Sequence, residues 1–364
     1  MATCLNIGIA GAGLMGRLLA WQLNQLGHQV TVFDKNTRYS GEAAGFTAAG
    51  MLTPYAEAEA AELPIYRLGL RSLQLWPAII KQLKQPVRYQ QQGSILVAHP
   101  ADAAELQQFE SQLRHSIQPS PEQQLKLDQG ALTALEPELA QHFQTAMYFP
   151  EEAWISASDS MQALANEAIE NGVAWREQHA VDRAEAHTIV SNGNAERFDW
   201  VIDCRGTGAK PQWQDVRAVR GEVLWVQAPE VNIKRLVRLM HPRYRLYLVP
   251  TGKDDIYIIG ATQIESEDWS AMSVRSALEL LSALYSLHSG FAEARIIKMD
   301  SNCRPALKDN LPKVECSQGL MRVNGLFRHG YLLAPAICEQ VIAHIQEKNQ
   351  SFNDDVIAPI SSET

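Results

Sequence analysis

Hydrophobic positions in the first 35 residues follow two different periods. Residues 5 to 10 are a short apolar run, and from 14 to 27 Leu14, Leu18, Leu19, Leu23 and Leu26 recur at helical spacing. Residues 29 to 33, QVTVF, form a second β-type run that ends at Asp34. Apolar spacing near 3.6 predicts a helix with one buried stripe, and short β-branched runs predict strands. Strand, turn, helix and strand are therefore expected in that order. Amphipathic helices are predicted over 69–84 and 101–115, with the strand candidate GSILVAH at 93–99 between them. A helix over 159–171 leads past Gly172 into VAWRE, HTIV and FDWVID, a strand series ending in CRGTGA. Residues 219–260 are dense in β-type segments, VRGEVLWVQ, YRLYLVP and DIYIIGAT, which predicts an antiparallel sheet. A helix over 273–287, a strand over 294–299 and a last helix over 335–348 complete the pattern. No internal repeat or long linker interrupts it, so two interleaved lobes are expected.

Composition narrows the function classes. A chain of 364 residues exceeds one small core. Hydrophobic residues at 46% and charged residues at 20% exclude a disordered chain. The formal charge of −9, with no basic run, speaks against a nucleic-acid footprint or an anionic-membrane patch. Any bound anion must then be held by a few placed cations. Five scattered cysteines without CxxC spacing read as reduced thiols, and ten histidines without HExxH spacing show no metal site. The N-terminal MATCLNIGIAGAG lacks a basic leader, and no stretch approaches about 20 apolar residues. Neither a signal peptide nor a membrane span is expected, and the cytoplasm is the expected location.

The turn after the first run, GAGLMG, places Gly11, Gly13 and Gly16 in GxGxxG spacing, with Asp34 closing the next strand. Glycines permit a tight turn and close backbone approach to a pyrophosphate, the helix start offers unpaired N–H groups, and the acid accepts from a ribose hydroxyl. That combination predicts dinucleotide binding but does not separate NAD from FAD. After Asp34 the chain enters SGEAAGFTAAGML, whose small residues suit either a flexible loop or backbone lying against a flat ligand. Together with the C-terminal LFRHGYLLAP segment, a long extended cofactor fits better than NAD.

With these residues in view, the sequence resembles the D-amino-acid oxidase family of flavoproteins, and within it the glycine oxidases of thiazole biosynthesis. GIAGAGLMG, TAAGMLTPYAEAE, VRGEVLWV, YRLYLVP, IIGATQIESEDWS, CRPALKDNLPKV and FRHGYLLAPA occur in the family's order, nearly end to end. The resemblance implies an α/β fold in which a Rossmann-like FAD-binding domain interleaves with an antiparallel-sheet substrate domain. The FAD-binding parts are expected at 1–86, 148–218 and 301–364, and the substrate parts at 87–147 and 219–300. It further implies bound FAD contacted by Leu14 and Met15 in the first turn, by Asp34 and Lys35 at the ribose, and by Ala44 and Gly45. Ala49, Gly50 and Met51 would lie along the flavin, Val181 would meet the adenine portion, and Gly206 would add a further contact. Leu326, Phe327, Arg328, His329, Gly330, Tyr331 and Leu332 would wrap the isoalloxazine, with amides at the start of the 335–348 helix stabilising negative charge on the reduced ring.

On the substrate side the resemblance implies Arg304, Arg328 and Tyr247, with Met51 and Gln263 nearby. A guanidinium fork can hold an α-carboxylate through two charge-assisted hydrogen bonds. The implied reaction is hydride transfer from an amine's α-carbon to flavin, hydrolysis of the imine, and reoxidation by dioxygen to hydrogen peroxide, with no catalytic acid or base. Glycine is the expected substrate, with sarcosine and small D-amino acids as further candidates. A quinone-coupled D-amino-acid dehydrogenase and a non-catalytic FAD-binding sensor or assembly protein are the alternatives. Three positions depart from the family: Leu326 stands where histidine is common, His329 where asparagine is common, and Gln263 where an apolar residue is typical. The surroundings of Cys303 do not match the covalent-flavin motif of sarcosine-oxidase relatives, so non-covalent FAD is expected. Substrate and dioxygen are the expected partners, with no nucleic acid and no stable membrane insertion, and association into a homo-oligomer is left open.

Overall fold

The computed structural model describes residues 4–58, 63–242 and 246–346, together with the backbone of Ile357–Pro359. The expected strand start at 244 and the last two positions of the predicted C-terminal helix lie outside the described residues.

A seven-stranded sheet is built around Asn6–Ala10, whose parallel neighbours are Gln29–Phe33 and Trp200–Asp203. Ala174–Arg176 extends it in parallel on one side, and Leu320–Asn324, Lys313–Ser317 and Ile357–Pro359 extend it on the other. Helices Leu14–Gln25, Leu63–Gln82, Ala157–Glu170 and Gly330–Gln346 pack together on one face, where Ile7, Ile9, Leu18, Leu19 and Val32 are fully buried. A small antiparallel sheet of Val181–Glu185, Thr188–Ser191 and Asn194–Arg197 covers the other face through Phe33, Ile189 and Phe198.

The second large sheet has eight strands and includes Arg217–Gln227, Leu236–Met240, Leu246–Pro250, Ile256–Gly260 and Arg295–Ala306. Successive strand residues point to opposite faces. Leu224, Ile259, Leu248, Val237 and Ile95 pair across neighbouring strands and form one core with helix Val274–Leu287. The alternate residues form the other face: Arg304, Asn302, Gly221, Gly260, Tyr247 and Arg238. The strand predicted over 294–299 thus runs on to Ala306, and this extension places Arg304 on that face. Pro305 is tolerated because Arg295–Ala306 is an edge strand.

The C-terminal helix differs from its sequence reading. The pattern predicts a start at 335, but the helix begins at Gly330, just after a 3₁₀ turn at Phe327–His329. Pro335 lies inside it and cannot donate to the carbonyl four residues back. The Tyr331 carbonyl accepts instead from the Trp76 indole N–H at 2.9 Å.

Candidate active site

One cavity of about 1080 Å³ connects the two sheets. Its wall runs from the glycine turn after Asn6–Ala10, past Asp34, the 43–51 segment and Gly206, to the face of the eight-stranded sheet carrying Arg304 and Tyr247. The strand–turn–helix unit shapes the first end. Gly11 has φ +96°, and a Cβ on Gly16 would collide with the Gly11 carbonyl, so helix Leu14–Gln25 can start tight against the strand. Asp34 fixes the turn: its Oδ2 accepts from Ala12 N at 2.6 Å, and its Oδ1 accepts from Asn36 N at 2.8 Å. Behind it, buried Arg17 donates to the carbonyls of Ala12 at 2.7 Å, Met161 at 2.5 Å and Arg38 at 2.9 Å. Burial pushes this guanidinium down to about 10.

At the opposite end Arg304 and Tyr247 lie over glycines. A Cβ on Gly221 would strike the Arg304 guanidinium, and one on Gly260 would come 2.5 Å from the Tyr247 hydroxyl. Both side chains therefore rest on bare backbone. Burial lowers the Arg304 pKa, with Tyr247 opposing that shift, and burial pushes the Tyr247 phenol up to about 12.

Six Lys and Arg side chains line the cavity among the described residues, and five of them are in ion pairs. Lys35 meets Glu42 at 2.5 Å, Arg205 meets Asp203 at 2.7 Å and Arg275 meets Glu279 at 3.7 Å. Arg328 Nη2 lies 2.7 Å from Glu57 Oε2, and Arg238 Nη1 lies 3.9 Å from Glu57 Oε1. Arg304 is the sixth. Its Nη1 donates to the Thr262 carbonyl at 3.2 Å, and no carboxylate of the described residues is within ion-pair distance.

The sequence-predicted site residues come together here, with one exception. Gly16 does not line the cavity and acts on the turn's geometry. Gln263 is exposed on the wall. The Tyr331 hydroxyl lies 3.0 Å from the Gly45 carbonyl and 3.1 Å from that of Ala157. Cys303 and Arg304 are consecutive on a strand and both line the cavity, and the Cys303 thiol lies 3.7 Å from the Asp268 carbonyl.

Comparison with known proteins decides the family. The model of the DAO family, FAD dependent oxidoreductase, matches residues 6–344. The chain belongs to this family of FAD-dependent oxidoreductases. A putative thiamine biosynthesis oxidoreductase ThiO from Rhizobium etli is 37% identical over 338 residues, covering 93% of this chain and 95% of the relative. The glycine oxidase of Geobacillus kaustophilus is 27% identical over 375 residues, 98% of this chain and 96% of that protein. A crystal structure of glycine oxidase from that organism superposes with a TM-score of 0.82 at 26% identity, over 95% of both chains. The FAD-bound L-α-glycerophosphate oxidase of Mycoplasma pneumoniae, 16% identical over 99% of both chains, shares the fold with a TM-score of 0.80.

The cavity of this oxidoreductase fits its cofactor on its own geometry. A Cβ on Gly13 would meet only Ala43, at 3.8 Å, and one on Gly330 would meet nothing within 4 Å. Both glycines line the wall, so bare backbone faces the cavity at two helix N-termini, those of Leu14–Gln25 and Gly330–Gln346. That second helix end is at Gly330, five residues before the predicted one. No group of three or more potential metal ligands and no helix able to cross a membrane occurs among the described residues.

Sequence reasoning missed Glu57, Arg238, Glu152 and Arg17. Burial alone would raise the Glu57 carboxyl, but Arg328, the His329 hydrogen bond and Arg238 outweigh it and hold Glu57 well below the usual carboxylate range. His329 Nε2 lies 3.1 Å from Glu57 Oε2, and burial lowers its pKa, favouring the neutral imidazole. Glu152 fastens the turn that carries Glu57: Ala56 N donates to its Oε1 at 2.8 Å, and Ser94 Oγ donates to its Oε2. Burial pushes the Glu152 carboxyl up to about 8 from an ordinary 4.5. The native state therefore holds a proton there that the unfolded chain releases above 4.5, so stability falls as pH rises from about 4.5 to about 8. A Glu152→Gln variant is expected to remove a few kcal/mol of that decline, which urea unfolding at pH 5 and pH 8.5 would measure. An unchanged pH slope would contradict it.

Proposed function

We propose that this FAD-dependent oxidoreductase oxidises glycine, and further small amines such as sarcosine and small D-amino acids, to the 2-oxo acid with release of ammonia or amine. One observation carries the substrate assignment: Arg304 is the cavity cation left without a carboxylate partner among the described residues. A guanidinium withdrawn from water is costly without a counter-ion, and a substrate α-carboxylate supplies one in bidentate geometry. Tyr247, which lines the same cavity on the same sheet face as Arg304, adds a hydroxyl donor to the same carboxylate. Arg304 on a strand over Gly221 then fixes the α-carbon, which converts binding into orientation.

In this reading Leu14, Met15 and the turn glycines hold the pyrophosphate, Asp34 and Lys35 the ribose, and Val181 the adenine side. Ala44 and Gly45 would contact the cofactor beyond the ribose, Ala49, Gly50, Met51 and the 326–332 segment would hold the isoalloxazine, and the Gly330 helix end would favour negative charge there. Bound FAD supplies a hydride acceptor that dioxygen reoxidises to give hydrogen peroxide. Water completes the balance, with glycine, water and dioxygen giving glyoxylate, ammonia and hydrogen peroxide. The Cys303 thiol, held against the Ser266 and Asp268 carbonyls, favours flavin bound without a covalent link. Gln263 and Leu326 set the room beside the α-carbon.

Anaerobic addition of glycine, sarcosine and D-alanine to the holoprotein tests this reading. Glycine is expected to bleach the flavin, and admitted oxygen to restore its colour with one equivalent of peroxide. Failure of all three amines to bleach it would overturn the assignment.

A further inference from the structure

Sequence treats Arg304 and Arg328 alike, but the structure does not. Arg328 arrives at the cavity already paired, its Nη2 2.7 Å from Glu57 Oε2, while Arg304 has no such partner among the described residues. The pairing is built in from several directions. Glu57 ends the short turn Pro54–Glu57, whose Ala56 amide donates to buried Glu152 and whose Ala56 carbonyl accepts from Arg238 Nη1. His329 Nε2 lies 3.1 Å from the same Glu57 oxygen that meets Arg328, and 3.1 Å from Arg328 Nε. Glu57 is thus a fixed carboxylate on the wall of a site that has to receive a carboxylate.

We propose that Glu57 is a specificity-determining residue. By holding Arg328 in a resident ion pair, it leaves Arg304 to take the ligand carboxylate and restricts the site to amines bearing one carboxylate. This rests on the reading that Arg304 binds the substrate carboxylate. A second carboxylate reaching toward Arg328 would meet the Glu57 oxygen that lies 2.7 Å from its guanidinium, where like charges repel. A neutral second substituent carries no such penalty.

The test uses flavin-loaded protein titrated with acetate and with malonate, one carboxylate against two, followed by the shift of the flavin absorbance. Wild type is expected to bind acetate at least tenfold more tightly than malonate. In Glu57→Gln the released guanidinium should narrow that ratio at least tenfold, and Glu57→Gln combined with Arg328→Met should restore it. A ratio in Glu57→Gln within threefold of wild type overturns the proposal. Should the single variant fail to fold, the double variant still decides the matter, because it removes the ion pair as a unit. Acetate affinity within threefold of wild type supports the proposal, and a tenfold loss would make Arg328 itself a carboxylate ligand and overturn it. Wild type that binds neither anion would instead refute the Arg304 reading on which the proposal stands.

Discussion

Arg304→Met is expected to raise the KM for glycine by roughly 100-fold or more while leaving the flavin content per chain unchanged. Two charge-assisted hydrogen bonds at about 1.5–3 kcal/mol each account for that range, since about 1.4 kcal/mol is a factor of ten. Methionine fills a similar volume without charge, so the ligand-free protein should keep or gain thermal stability once an uncompensated guanidinium is removed. Steady-state kinetics, flavin absorbance per chain and calorimetry on one preparation separate these effects. Lost flavin with an unaltered KM would mean that Arg304 serves the cofactor end.

Gly16→Val is expected to yield colourless, destabilised protein. The new side chain would be driven into the Gly11 carbonyl, and helix Leu14–Gln25, anchored by fully buried Leu18, Leu19 and Leu23, has no slack with which to retreat. Overpacking of this kind costs about 1–3 kcal/mol, and here it also opens the turn proposed to receive the pyrophosphate. Flavin-to-protein absorbance and urea unfolding report the two consequences. A variant that stays yellow, with an unmoved unfolding midpoint, would show that helix and strand tolerate a wider separation.

Legibility tracked distance along the chain. The glycine turn, its helix and Asp34 all fall within 35 residues, and local periodicity shows them directly. Arg304 and Tyr247 were reached through resemblance, but their meeting over Gly221 and Gly260 is a property of strand pairing that no single segment displays. Glu57 stands inside TAAGMLTPYAEAE without a role of its own, because the His329 partner that marks it lies 272 positions away. Arg238 and Glu152 were missed for the same reason. The helix start at Gly330 was hidden by Pro335, whose exclusion from helix interiors is relaxed here by an indole N–H from another helix.

The two faces of the eight-stranded sheet differ by a single step along each strand. One extra residue inserted before Gly221 in Arg217–Gln227 would turn Leu224 toward the cavity and Val223 toward the hydrophobic core, and would remove the bare backbone from beneath Arg304. Loops at the strand ends can lengthen or shorten without that inversion. Lineages descending from this scaffold are accordingly free to vary connections, while length changes within these strands are confined to compensated pairs or to even steps.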